Sequence, residues 1–282
     1  MKISEIIEVL KKHHAPVDET HTSDVVKFGD PDRECTSIVT TVCATVDVIR
    51  RAAALGANLI IVHEPLFYSD PDDREWLRGN AVYEEKVRLL TDAGIVVWRD
   101  HDRLHGGTPA RENREYMDMV FYGIMKELGW EEYCIGFDNK PLVYQIPETT
   151  AEKLTAELTQ KLGLSGARLV GNRNAVIRRV FFCEHISDRH FGGRDADREA
   201  IREIESGDYD AMIPLEIIDW TVSAYVRDAA QLGKNKVLIE MGHFNTEEPA
   251  MKYMAQWLPE LLEDPVPVHF VQAGDSFSYF VR

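Results

Sequence analysis

The chain has 282 residues, 44% of them hydrophobic, enough to bury one large core or two modest ones, and length alone favours two domains. Its formal charge of −16 repels nucleic-acid backbones and no basic cluster offsets it locally, which argues against a nucleic-acid partner. No stretch reaches the about 18 apolar residues of a membrane span, and MKISEIIEVLKKHH at the start mixes charged with apolar residues where a secretory signal has an unbroken apolar run, so the expected location is cytoplasmic.

Residues 3–12 read as a short amphipathic helix with Ile6, Ile7 and Leu10 on one face; His13 and His14 at its end read most simply as surface residues. TSIVTTVCAT (36–45) has the β-branched density of a buried strand, VDVIRRAAALGA (46–57) reads as a helix closed by Gly56, and NLIIVH (58–63) is the next strand. Strand, helix and parallel strand in that order make a βαβ unit with a right-handed crossover. A helix near 80–93 ends at Gly94, IVVW (95–98) gives a third strand running into RDHDRLHGG, and residues 111–128 fit another helix closed by Gly129.

A second part starts around CIGFDNKPLVYQIPETT (134–150). Thr149 with Glu152 forms a capping box, and Leu154, Leu158 and Leu162 make a helical stripe that stops at Gly163. A strand at 167–171, the turn GNRNA and the strand VIRRVFFC (176–183) follow, then a loop holding His185 and His190 and a charged helix near 195–206. The strand AMIPLEI (211–217), a helix over 220–232 and the strand opening KVLIEMGHFNTEE (236–248) come next. A helix from about 248 to 263, with Thr246 as N-cap and Pro249 in its first turn, leads to two final strands, VPVHFVQ (266–272) and SFSYFV (276–281). The segments 38–64 and 179–216 echo each other weakly as strand, helix, strand.

Cys35, Cys43, Cys134 and Cys183 are widely spaced without a C-x-x-C, the pattern of reduced buried thiols rather than a disulfide framework or a thiolate zinc site. No phosphate-binding glycine motif and no G-x-S-x-G elbow appears, so Ser223 and Ser276 are not marked as nucleophiles.

Chemistry concentrates instead at strand ends, where open α/β sheets bind ligands. His63 and Glu64 follow LIIV, His101 and His105 follow IVVW, and His243 with Glu247 follows VLIEMG. Six donors suited to borderline divalent cations, with cysteine absent from all three places, point to metal, and to two ions rather than one. Asp100 and Asp102 read as acid-base carboxylates or, as easily, as partners that orient imidazoles. Pro65 ends the strand pairing so that the chain can turn away.

At these residues the sequence resembles the GTP cyclohydrolase 1 type 2 family, the proteins similar to NGG1-interacting factor three. Members typically carry His-His-Pro-Leu after a strand, His-Thr-x-x-Asp after the next, and Gly-His-x-x-Ser/Thr-Glu near the C-terminus. Here these read HEPLF (63–67), HDRLH (101–105) and GHFNTE (242–247). FGDPD (28–32), AAALGANLIIVHEP (52–65) and the run TTAEKLTAELTQKLGLSGARLVGNRNAVIRRVFFC (149–183) also look like the family.

The resemblance implies a two-domain α/β sandwich-type fold with mixed, largely parallel sheets. Residues 1–130 together with 232–282 would form the metal-binding domain, residues 131–231 a second domain closing the cleft, and the metal site would lie at strand C-terminal ends between them. Carried over by position, the metal ligands are His63, Glu64, His105, His243 and Glu247, holding two divalent ions (Zn, Fe, Mn, Ni or Co). His101 matches a histidine near the family's site and is the candidate catalytic residue, orienting ligands or handling protons, with direct coordination of the metal as the alternative. Glu64 stands where the family has His and His105 where it has Asp, an exchange that keeps donor count and charge. Where the family has a Gly-rich loop this chain has CEHISDRHFGG, so His185 and His190 are candidates to line a substrate pocket, and Glu216 matches an often acidic position. The implied function is a metal-dependent hydrolase acting on a nucleotide or other small anionic molecule, in a homohexamer built as a trimer of dimers. The alternatives are a non-catalytic metal-handling or regulatory scaffold, and a ring in which metal is structural.

Overall fold

The computed structural model describes residues 1–70, 72–109, 115–136, 140–187 and 195–280. His190 lies outside the described residues. The chain forms two compact units, residues 1–123 with 248–273 and residues 124–247 with 274–282. No helix among the described residues is long and apolar enough to cross a membrane.

In the first unit, helix α1 (Ile3–His13) buries Ile3, Ile6, Ile7 and Leu10. The strands β1 (Val26–Phe28), β2 (Ile38–Thr41), β3 (Leu59–Val62), β4 (Val96–Arg99) and β12 (Val268–Phe270) form one sheet in the order β1-β4-β3-β2-β12. β12, β2, β3 and β4 run parallel and β1 closes the edge antiparallel. Every residue of β2, β3 and β4 is buried, which explains why these strands read as continuous apolar runs and not as alternation. Helix α2 (Val46–Ala54) connects β2 to β3 and is capped by Thr45, which accepts from Val48 N. Helix α3 (Ala81–Asp92) connects β3 to β4 and is capped by Asn80, which accepts from Val82 and Tyr83. Val48, Ile49, Ile60, Val62, Phe67, Leu90 and Val97 form the core beside this sheet. The short helix α4 (Asp102–Gly106) follows β4, and β5 (Thr108–Pro109) pairs with β6 (Tyr116–Met117) before helix α5 (Met119–Leu128). The sequence places a helix from 111; among the described residues it starts at Met119, because Tyr116 and Met117 are taken up in pairing with β5.

The second unit holds the sheet β7-β9-β10-β11-β8, built from β7 (Val143–Thr150), β8 (Arg168–Val170), β9 (Val176–Cys183), β10 (Ala211–Pro214) and β11 (Val237–Glu240). β9, β10 and β11 are parallel; β7 and β8 flank them antiparallel. Helices α6 (Ala151–Leu162), α7 (Ala196–Ser206) and α8 (Val222–Gln231) complete it, and Ile204, Met212, Val222, Val226 and Leu238 share one core. Residues 232–247, grouped by the sequence reading with the N-terminal segment, belong to this unit, because β11 pairs with β10 and β8.

Three local expectations change. Thr149 and Thr150 both pair within β7, and the cap of α6 is Thr150, the last residue of the strand, which accepts from Lys153 N. The last helix, α9 (His243–Leu261), starts five residues before the expected 248 and carries Pro249 and Pro259 within it. Gly242, at φ 96°, makes the turn that allows this early start. Thr246 is therefore not an N-cap; its hydroxyl donates back to the Gly242 and His243 carbonyls. SFSYFV forms no strand among its described residues. There the Asp275 carboxylate accepts from Phe277 N at 3.0 Å and the Tyr279 ring packs against Gly166, local contacts that replace a ladder.

Candidate metal centre

In the first unit, β3 and β4 end in register, Val62 opposite Arg99, so the residues that follow both strands emerge at one sheet edge. His63 follows β3 and is fully buried. His101 follows β4, and α4 places His105 one helical turn later, with His105 N donating to His101 O at 3.0 Å. The three rings lie close, with centroids 4.6 Å (His63 to His101), 5.1 Å (His63 to His105) and 4.9 Å (His101 to His105) apart. One donor atom from each falls within 4.8 Å of the others.

Each ring is oriented through Nδ1. His63 Nδ1 lies 3.1 Å from Asp100 O, His101 Nδ1 2.9 Å from Asp102 Oδ1, and His105 Nδ1 3.2 Å from Asp118 Oδ2. An oxygen acceptor at Nδ1 favours the tautomer that carries its proton there, which leaves the Nε2 lone pair for a cation. Burial, then His101 and His105, hold the His63 imidazole well below its usual pKa. Burial, followed by His105, lowers His101 as well. Desolvation disfavours the protonated ring, so these are neutral imidazoles, the form that ligates metal.

A buried frame fixes the turn on which His101 and His105 stand. The Asp24 carboxylate accepts from the backbone N–H groups of His101 (2.7 Å), Asp102 (2.9 Å) and Arg103 (2.8 Å), and from Arg103 Nη1 at 3.1 Å. Burial and neighbouring Asp100 push the Asp24 carboxyl up, against those backbone donors. Asp102 accepts from Thr22 Oγ1 and Ser23 N. Burial alone would raise its pKa; the hydrogen bonds from His101, Ser23 and Thr22 outweigh it and hold the carboxyl well below the usual range. His14, read from sequence as surface, is buried: its Nδ1 lies 2.6 Å from Thr108 Oγ1 and its Nε2 3.1 Å from Asp100 Oδ2. Arg99 braces the loop after β3, donating to His63 O at 2.9 Å and Asp70 Oδ1 at 2.6 Å, with Nη2 4.0 Å from Glu64 Oε2. Glu64 itself is buried. Asp72 caps the same loop by accepting from Phe67 N at 2.6 Å, and Lys86 Nζ donates to Leu66 O at 2.6 Å.

The second unit repeats the device. β9 and β10 end in register, Cys183 opposite Pro214, and the bridge between Ile186 and Ile217 extends the pairing beyond them. His185 and Glu216 thus stand side by side past their strands, while His243 and Glu247 follow β11 in the first turns of α9. His185 and His243 meet edge to face at 4.4 Å, and each has Nδ1 3.7 Å from Glu216 Oε2. His243 Nε2 is 3.0 Å from Glu247 Oε2, and the Glu247 side chain is fully buried. Donor atoms of His185, His243 and Glu247 lie within 4.8 Å of one another.

Of the residues singled out in the sequence, His63, His101 and His105 thus come together in one unit, and His243 and Glu247 in the other, where His185 joins them. The sequence reading missed Asp24, Asp118 and Arg99. Both donor sets are imidazole or imidazole with carboxylate and contain no cysteine, a composition that fits a borderline divalent cation.

The model of the Duf34/NIF3 (NGG1p interacting factor 3) family matches residues 1–275. The chain belongs to this family. Within the Duf34/NIF3 family it is 25% identical, over 99% of its length and 100% of the relative's, to a GTP cyclohydrolase 1 type 2 homolog of Clostridium perfringens. A Staphylococcus aureus protein of the same name is 36% identical over 61% of this chain and 44% of its own. Among solved structures, a Bacillus cereus protein related to NIF3 has the same fold, with TM-score 0.71 at 14% identity and 99% of each chain covered. A Staphylococcus aureus hypothetical protein gives 0.69 at 19% identity, again over 99% of both chains.

Proposed function

We propose that this Duf34/NIF3 protein binds two divalent cations and is a metal-dependent hydrolase of a small anionic substrate. One observation carries the reading: three imidazoles converge in the first unit, each oriented by an oxygen at Nδ1. The proposed ligands are His63, Glu64, His105, His243 and Glu247. For His101, of the two roles open to it, the reading takes that of a third imidazole ligand, since its ring is oriented in the same way as its two neighbours. Cations held there supply Lewis acidity and lower the pKa of a coordinated water toward neutrality. Asp24, Asp102 and Asp118 hold the imidazoles in place, and Arg99 fixes the loop that carries Glu64. The shared name of the curated relatives points to a nucleotide, with attack on a purine ring or a phosphoester as the two chemistries to compare. A ring-shaped homohexamer is the assembly the family resemblance implies; light scattering of the purified protein, giving six chain masses, is its check.

The test is protein loaded with Mn, Fe or Zn and assayed against GTP and a panel of phosphoesters. Turnover that disappears in His63→Ala supports the hydrolase. Stoichiometric metal without turnover under any loading rejects it and leaves a metal-handling scaffold.

A further inference from the structure

We infer that His185 is a metal ligand, and that it completes with His243 and Glu247 a three-ligand cation site carried by the second unit. The inference rests on the metal reading above and adds a residue outside the ligand set the family resemblance provides. Three neighbouring parallel strands, β9, β10 and β11, deliver the groups: His185 two residues past Cys183, Glu216 two past Pro214, and His243 three past Glu240. The register of β9 with β10 continues through Ile186 N donating to Glu216 O at 2.7 Å, so His185 and Glu216 are fixed neighbours and not side chains of a wandering loop.

The side chains then converge. His185, His243 and Glu247 place donor atoms within 4.8 Å of each other. Glu216 Oε2 stands 3.7 Å from Nδ1 of both rings, a negative charge on the flank opposite Nε2. Two imidazoles and one carboxylate make a complete protein ligand set for Zn²⁺ or Fe²⁺, with positions left open for water or substrate. Glu247 supplies the charge such a site needs: its side chain is fully buried, where an ionised carboxylate is stable only against positive charge.

The experiment uses the full-length chain loaded with Co²⁺, with metal counted by elemental analysis and affinity measured by chelator competition. Wild type is expected to hold two ions. His185→Ala is expected to lose one, or to bind it at least tenfold more weakly, with a change in the Co²⁺ absorption bands, and free imidazole is expected to restore both. The His185 side chain is 44% exposed, so truncation spares the core; His185→Gln, which keeps a polar side chain, repeats the test. Unchanged stoichiometry and affinity in both variants, with no response to imidazole, overturns the inference while leaving the metal reading standing. A wild-type protein that takes up no metal overturns the reading itself, and the inference with it.

Discussion

At the scale of single residues, one buried carboxylate does more for the candidate centre than its position in the chain indicates. Asp24 holds three consecutive peptide N–H groups, and His101 and His105 project from the turn those groups define. Asp24→Asn places an amide NH₂ against donors and disturbs that turn. Metal affinity should fall by about 10–100-fold, the usual cost of losing a group that orients ligands, as read by chelator competition; wild-type affinity in a folded variant contradicts the assignment. The thiols give a second residue-level check. Burial pushes Cys43 and Cys35 up to about 11, so at pH 7.5 well under about 1% is thiolate. Native protein should react slowly with iodoacetamide, faster as pH rises toward 11, and promptly once unfolded; rapid native labelling of Cys35 contradicts its burial. His63 and His243 were legible in the sequence because a strand that ends in a metal-capable side chain is a local pattern. Asp24 and Asp118 were not: they reach their partners across 77–79 and 13 residues, and nothing local marks a carboxylate that will be buried against backbone donors.

Among elements, the crossing of α5 and α9 depends on the absence of a side chain at Gly123. A Cβ built there would sit 2.6 Å from Ala250 Cα and 2.7 Å from Ala250 N, both backbone atoms that cannot swing aside. Gly123→Ala should destabilise the protein by about 1–3 kcal/mol, the range for overpacking a close contact, seen as a lower denaturant midpoint; an unchanged midpoint contradicts the close approach. Removing the α3 cap by Asn80→Ala should cost about 1 kcal/mol, because two backbone donors lose their acceptor. Strand and helix order was readable from apolar runs and glycine stops, and the parallel sheets followed from it. Helix starts were harder to place. Pro249 reads as a first-turn signal, yet α9 begins at His243, and Thr149 and Thr150 are locally equivalent as caps, separated only by where β7 ends and α6 starts.

For the whole molecule, both units use one construction: parallel strands end in register and release imidazoles and carboxylates at a sheet edge. The weak echo of 38–64 in 179–216 corresponds to β2-α2-β3 and β9-α7-β10, in each case a helix linking adjacent parallel strands. Which unit β11 joins was not readable, since a short buried strand carries no mark of its neighbours; the pairing with β10 and β8 decides it. A cation that binds only the folded chain stabilises it, by about 2.7 kcal/mol at a hundredfold excess over Kd. Thermal unfolding should therefore shift upward with Zn²⁺ or Mn²⁺ and return on chelation. The most direct measurement is the metal content of protein purified without chelator and saturated with Co²⁺ or Zn²⁺, wild type beside His63→Ala and Glu247→Ala. Two ions per chain in the wild type, with fewer in each variant, is the result predicted here; no metal in the wild type, or full metal in both variants, contradicts it.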